Sequence, residues 1–225
     1  MRPDVASSFI IETLPGLCSD QEHGDGGFAL PDASIRCLRE VIDRLGLKNV
    51  FEFGSGRSTR AFLEAGCAVT SLEHSETWLA ETARGLRPEE LARWRPVCAP
   101  LRQIWHKGAP FSSWRPAPDT VGSLSAAELV LIDSPPLPPS REHALILALR
   151  HARGALIVVD DANIPTVRRY CTRLARQNHL AMFQTRMDHG LCFIAPQFGA
   201  LNEARGLGDF LRVWRFFLIQ RRFQR

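Results

Sequence analysis

Lysine is almost missing from this chain: Lys48 and Lys107 are the only two in 225 residues, and neither stands in a glycine-rich loop. No Gly-x-x-x-x-Gly-Lys-[Ser/Thr] run is present, which excludes the phosphate-binding loop of an ATPase. The cysteines (Cys18, Cys37, Cys67, Cys98, Cys171 and Cys192) are scattered, with no Cys-x-x-Cys pair. That spacing argues against a disulfide framework or a zinc module, and they read as small buried hydrophobes in a reducing compartment. No apolar run approaches the roughly 18 residues of a membrane span. Asp4 and Glu12 interrupt the apolar stretch that a secretory leader would need, so a cytoplasmic location is expected. An aromatic-interleaved basic strand, a zinc module and a helix-turn-helix pattern are all lacking. The formal net charge of +4 is almost all arginine, much of it near the C-terminus, and it does not by itself call for a nucleic acid partner.

What is there is enough apolar material, 45% of the residues, for one sizeable core and one domain. Residues 1–48 read as an N-terminal flap, turn-rich from Cys18 to Gly27, followed by a helix from Asp32 to about Leu45 stopped by Gly46. Residues 49–197 form the core, where strands alternate with helices. Strands are expected at about 49–53, 68–72, 94–98, 128–133 and 154–159, and helices at about 75–85, 141–151 and 164–177. Two last strands, at about 180–186 and 190–195, flank Asp188-His-Gly190, which reads as a hairpin turn. Such alternation predicts an α/β fold with a mostly parallel sheet, helices on both faces and an antiparallel last strand.

Residues 102–127 break the alternation. Rich in Pro, Ser and Gly, with Trp105, His106 and Trp114, they read as a long connection, either a lid or a surface loop packed by its own tryptophans. Residues 198–225 carry a basic amphipathic helix from Phe210 to Arg225. It could lie on an anionic membrane surface, pack on its own domain or join a homodimer.

The chemistry concentrates at residues 49–59. A β-prone run with Glu52 inside it ends in Gly54-Ser55-Gly56, and Ser58 and Thr59 follow as helix caps. Glycine is needed at such a turn because no Cβ can stand between backbone and ligand, and the N–H groups of the helix start favour polar or anionic groups. Glu73 lies about twenty residues past Gly54, where an acid can take ribose hydroxyls in nucleotide-binding βαβ units. The spacing does not choose between cofactors. Against NAD, Thr59 replaces the third glycine and Glu52 puts a charge just before the turn.

Taken together, Glu52-Phe-Gly-Ser-Gly-Arg-Ser-Thr59, Ser71-Leu-Glu-His74, Leu129-Val-Leu-Ile-Asp-Ser-Pro-Pro136 and Val158-Val-Asp-Asp-Ala162 resemble the successive motifs of class I S-adenosylmethionine-dependent methyltransferases. The likeness is nearest to the small bacterial, O-methyltransferase-like branch and spans roughly residues 25–197. It implies a Rossmann-like seven-stranded sheet. It also implies S-adenosylmethionine held by Glu52, Phe53, Gly54, Ser55, Gly56, Ser58 and Thr59, with Glu73 on the ribose and His74, Ala99 and Asp133 completing the site. The substrate it implies is a small hydroxylated molecule or sugar, methylated on oxygen.

Asp133, Asp160 and Asp161 fall at strand ends, and three converging carboxylates repel one another unless a cation or protons offset them. In the metal-dependent members of the family, acids at these places hold a divalent ion, so Mg²⁺ is implied. Asp161 stands where the family pattern has Asn, and Ser134-Pro-Pro136 replaces a lysine-bearing loop. The other reading has Asp133 holding the cofactor or a helix start, with Asp160 and Asp161 capping the next turn. Asp133 and His143 are the catalytic candidates, with His74 and His106 as further possible bases. Ser134-Pro-Pro-Leu137 resembles the motif of amino-methylating nucleic acid enzymes, but Leu137 is not the aromatic that stacks on a flipped base. Two rival functions remain: a noncatalytic protein of this fold acting through its C-terminal helix at a membrane or complex, and an NAD-dependent oxidoreductase.

Overall fold

A computed structural model describes residues 30–106, 108–135, 137–185 and 189–196. The expected flap at 1–29, the turn residue Asp188 and the C-terminal helix lie outside the described residues.

Apolar spacing builds the first helix, α1 (Asp32–Leu45), which buries Ala33, Cys37, Leu38, Val41 and Ile42. Gly46 ends it at φ +64, returning its N–H to Asp43 and Ile42 carbonyls, a left-handed stop that glycine adopts without penalty. There follow β1 (Asn49–Phe53), α2 (Arg57–Glu64), β2 (Ala68–Glu73), α3 (Glu76–Arg84), α4 (Pro88–Leu91), β3 (Trp94–Cys98), β4 (Arg102–His106), β5 (Ala109–Ser113) and α5 (Pro118–Ser125). The chain continues through β6 (Leu129–Ile132), α6 (Pro138–His151), β7 (Leu156–Val159), α7 (Pro165–Gln177), β8 (Leu180–Gln184) and β9 (Cys192–Pro196).

Seven strands form one sheet in the order β3-β2-β1-β6-β7-β9-β8. The five strands from β3 to β7 run parallel, and β9 inserts antiparallel between β7 and β8. The central strands are continuous apolar runs because both faces are covered. In β6, Leu129 and Leu131 join the core layer that holds α1 and α2, while Val130 and Ile132 join the layer that holds α6 and α7. Cys37, Cys67, Cys171 and Cys192 are buried as expected; Cys98, at the end of β3, is exposed. No helix among the described residues is long and apolar enough to cross a membrane.

Residues 102–127 are a correction to the sequence reading. They are not a structureless connection: β4 and β5 pair antiparallel, with Ile104 opposite Phe111, and α5 follows. Trp114 is fully buried while Trp105 stays 76% exposed. The Pro, Ser and Gly content hides two short strands whose pairing is with each other and not with the main sheet. Helix α6 likewise begins at Pro138, three residues earlier than the periodicity indicates, because two prolines fit the first turn where no N–H is required.

Candidate functional site

The strand order reverses at β1 and β6, and in an open parallel sheet that switch point opens a crevice beyond the carboxyl ends of the strands. Gly54 leaves β1 through its N–H to the Leu72 carbonyl at 2.9 Å, while Asp133 and Ser134 N–H groups both return to the Phe53 carbonyl. Gly54 has φ +108, and a Cβ there would lie 3.0 Å from the Ser134 Cβ. Gly56 has φ +145 and is covered by the Trp78 indole, whose Nε1–H donates to the Ser55 carbonyl. Both positions demand glycine for conformation, and Gly54 for space as well.

Under this turn sits a buried polar frame. The Glu52 carboxylate accepts from Ser58 Oγ at 2.8 Å, from Ser71 Oγ at 2.6 Å and from Thr59 Oγ1. Thr59 Oγ1 in turn accepts the Gly56 N–H at 2.9 Å. Ser58 and Thr59 are expected as caps; the N-cap position is Gly56, Thr59 caps its N–H from the third helical position, and both hydroxyls also donate to Glu52. Burial raises the Glu52 carboxyl to about 7 against the pull of its three hydroxyl donors, with the charge of Glu73 a smaller contribution in the same direction.

Glu73 closes β2 and is buried. Its Oε1 accepts the backbone N–H groups of His74 at 2.6 Å and Ser75 at 3.0 Å, and His74 Nδ1 lies 2.7 Å from the same oxygen. The His74 ring stands edge-on to Trp114, centroids 6.2 Å apart, and Phe53 packs on the same indole at 5.6 Å. Trp114 Nε1–H donates to the Ala99 carbonyl at 3.0 Å, and Ala99 N–H donates to the Glu73 carbonyl at 2.8 Å. Phe53, Glu73, His74 and Ala99, which the motifs named separately, are thus gathered around one tryptophan. Its sequence signal was one of two tryptophans in a Pro- and Ser-rich stretch.

The acids at the ends of β6 and β7 meet a partner that sequence reasoning missed. Arg141, in the first turn of α6 and only 6% exposed, donates from Nε to the Pro135 carbonyl at 3.0 Å. Its Nη1 donates to Asp161 Oδ2, and its Nη2 lies 3.8 Å from Asp133 Oδ1. On the other side is His189, with Nδ1 3.6 Å from Asp161 Oδ1 and 3.9 Å from Asp160 Oδ2. His189 is placed by backbone bonds from Ala162 to the Gly190 carbonyl and from Asn163 to the His189 carbonyl. Gly190, at φ +72, permits that approach: a Cβ there would lie 2.6 Å from Asn163 Oδ1. Asp161 adopts φ +58, a left-handed conformation that Asp and Asn tolerate better than most residues, consistent with Asn in the family pattern.

Burial, and then the charge of Asp160, push the Asp133 carboxyl well above the usual range, against the opposing pull of Arg141. The Asp160 carboxylate raises His189 above the ordinary imidazole range. Asp160 Oδ1 is buried without a hydrogen-bond partner among the described residues.

The three acids implied for Mg²⁺, Asp133, Asp160 and Asp161, do not converge as one ligand set: Arg141 stands between two of them, bonded to Asp161 and 3.8 Å from Asp133. The ligand group that does converge is Asp160, Asp161 and His189, with one atom from each within 4.8 Å of the others. An imidazole in that group suits a transition metal better than Mg²⁺. His143 is elsewhere engaged: its Nδ1 is 3.0 Å from Ser113 Oγ, and its ring packs against Phe111 of the hairpin.

No family model matches this sequence. No curated protein matches it either. Solved structures match in shape. A Staphylococcus aureus protein assigned as a caffeoyl-CoA O-methyltransferase superposes with a TM-score of 0.56 at 16% identity, over 75% of this chain and 85% of its own. A Podospora anserina methyltransferase with bound S-adenosylhomocysteine gives 0.53 at 13% identity, over 82% and 94%. A Geobacter sulfurreducens methyltransferase gives 0.54 at 12% identity, over 75% and 80%. At such identities the likeness is one of fold: the chain adopts the Rossmann-like fold of class I S-adenosylmethionine-dependent methyltransferases, as the motifs imply.

Proposed function

We propose that this chain is an S-adenosylmethionine-dependent methyltransferase acting on an oxygen of a small hydroxylated molecule or sugar. The observation that carries the reading is the glycine turn at the switch point, with Glu73 beside it and Trp114 collecting Phe53, His74 and Ala99 alongside. Glu73 Oε2 takes no part in the local bonds to His74 and Ser75 and is the oxygen for the ribose. The exposed side of His74 and Ala99, backed by the buried Trp114, suits an adenine. A dinucleotide fits less well, since the Gly56 N–H that a pyrophosphate would use already donates to Thr59.

The bound cofactor would supply an activated methyl carbon, which leaves the protein to align the acceptor and remove its proton. Asp133 serves as that base, because burial and the neighbouring charge of Asp160 raise its carboxyl and make its carboxylate a stronger proton acceptor than an ordinary one. Asp133 would take the acceptor hydroxyl's proton at a carboxylate oxygen, leaving the acceptor oxygen free to meet that carbon. His143, whose Nδ1 lies 3.0 Å from Ser113 Oγ, is the other candidate base.

Calorimetric titration of the protein with S-adenosylmethionine, S-adenosylhomocysteine and NAD tests the reading. S-adenosylhomocysteine should bind, and Glu73→Ala should weaken it by the loss of a charged hydrogen bond, about 1.5 to 3 kcal/mol or roughly tenfold and more. Gly54→Val should weaken it too, by driving a side chain onto Ser134. Binding of NAD in place of S-adenosylhomocysteine, or unchanged affinity in both variants, would overturn the assignment.

A further inference from the structure

We propose that Arg141 is the resident cation of the acid cluster, occupying the place where related active sites would seat a divalent metal. The inference deepens the methyl-transfer reading and rests on it for the chemistry, while the geometry stands on its own.

Three carboxylates at the ends of adjacent strands need positive charge or protons to coexist. Arg141 supplies a charge that does not titrate, from the first turn of α6, and it is fixed at three points. Nε is tied to the Pro135 carbonyl, Nη1 to Asp161, and Nη2 faces Asp133 at 3.8 Å. A guanidinium is planar and presents its donors as a rigid fork, so it spans the gap between the β6 and β7 ends as a small ion would, with less freedom to leave. A divalent ion bridging Asp133 and Asp161 would have to come within about 2.0 to 2.6 Å of oxygens that Arg141 already faces. It would also stand against the buried positive charge of Arg141. The two cations compete for one place, and the covalent one is always present at unit occupancy.

The remaining acid, Asp160, interacts with Asp133 on one hand and faces His189 Nδ1 at 3.9 Å on the other. With Arg141 and His189 flanking the cluster, its carboxyl groups face positive or polar partners without a metal ion. The competing arrangement is a transition metal on Asp160, Asp161 and His189, and the same experiment decides between them.

Full-length protein, dialysed against chelator, is titrated with Mn²⁺ and followed by electron paramagnetic resonance and by thermal melting. Wild-type protein is expected to leave Mn²⁺ in solution and to melt at the same temperature with Mn²⁺ or with chelator. Arg141→Met removes the charge while keeping the apolar stem. It should melt lower in chelator, bind Mn²⁺ and recover part of the loss when Mn²⁺ is added. Arg141→Lys keeps a cation without the fork and should neither bind Mn²⁺ nor gain from it. If Arg141→Met does not fold in chelator, its recovery in Mn²⁺ and the behaviour of wild type and Arg141→Lys still decide. Stoichiometric Mn²⁺ binding by wild type that His189→Ala abolishes would overturn the proposal, as would an Arg141→Met protein with no gain in Mn²⁺ binding. Neither readout uses cofactor or substrate, so failure here leaves the S-adenosylhomocysteine titration to stand or fall separately.

Discussion

At the scale of single residues, what the sequence shows well is any group whose role is written in its neighbours along the chain. Gly54 and Glu73 fall in this class, because turn geometry and a strand-end position follow from local spacing. Arg141 and His189 do not: each acquires its meaning from carboxylates on other elements, at sequence distances that no local period encodes. Glu52 is intermediate. Its place in the strand was legible, but its three hydroxyl partners were not, and through them it braces the turn from beneath. Its titration has a signed consequence. The folded-state carboxyl sits near 7 against an ordinary value of 4.5, so between those limits the folded protein holds a proton that the unfolded chain releases. Stability from this group is therefore greatest at the acid end of the window and falls as pH rises through it, by about 3 kcal/mol in all. Urea unfolding at pH 5 and pH 8 measures this, and Glu52→Gln should flatten the dependence. An unchanged slope in the variant would show that the pH sensitivity arises elsewhere.

At the scale of elements, the strands and helices of the main sheet were legible because parallel, doubly covered strands are unbroken apolar runs and their helices carry a clear amphipathic period. The hairpin β4–β5 was not, because its strands pair only with each other. They keep Trp105 exposed, and Pro110 in β5 is a residue that weakens any strand assignment. What secures this hairpin is side-chain bonding to α6: Ser140 Oγ donates to the Ser112 carbonyl, and Ser113 Oγ meets His143 Nδ1 at 3.0 Å. Removing both hydroxyls, as Ser113→Ala with Ser140→Ala, should cost about 1 kcal/mol for each bond and loosen the hairpin locally. Hydrogen exchange should then quicken at the amides of β4 and β5 while those of β6 and β7 keep wild-type protection. Equal acceleration across the central sheet would mean that the hairpin and the core open as one unit.

At the scale of the molecule, alternation of strands and helices was enough to predict the fold class. The placing of Gly54, Glu73, Asp133 and Asp160 at one end of the sheet then follows, because parallel strands all point their carboxyl ends the same way. What the pattern leaves open is the ligand, since the same crevice serves several nucleotide cofactors. Stability of the whole chain can report it. A ligand that binds only the folded state adds about 2.7 kcal/mol at a hundred times its dissociation constant. In a domain of this size each kcal/mol moves the midpoint by about 2 to 4 °C. Saturating S-adenosylhomocysteine should therefore raise the melting temperature by roughly 5 to 10 °C, and NAD at the same concentration should leave it in place. In Gly54→Val the ligand-free midpoint falls on steric grounds alone, so the informative quantity is the increment on adding S-adenosylhomocysteine, which should shrink or vanish. A full increment in that variant would place the ligand away from the turn, and an increment from NAD alone would give the crevice to a different chemistry.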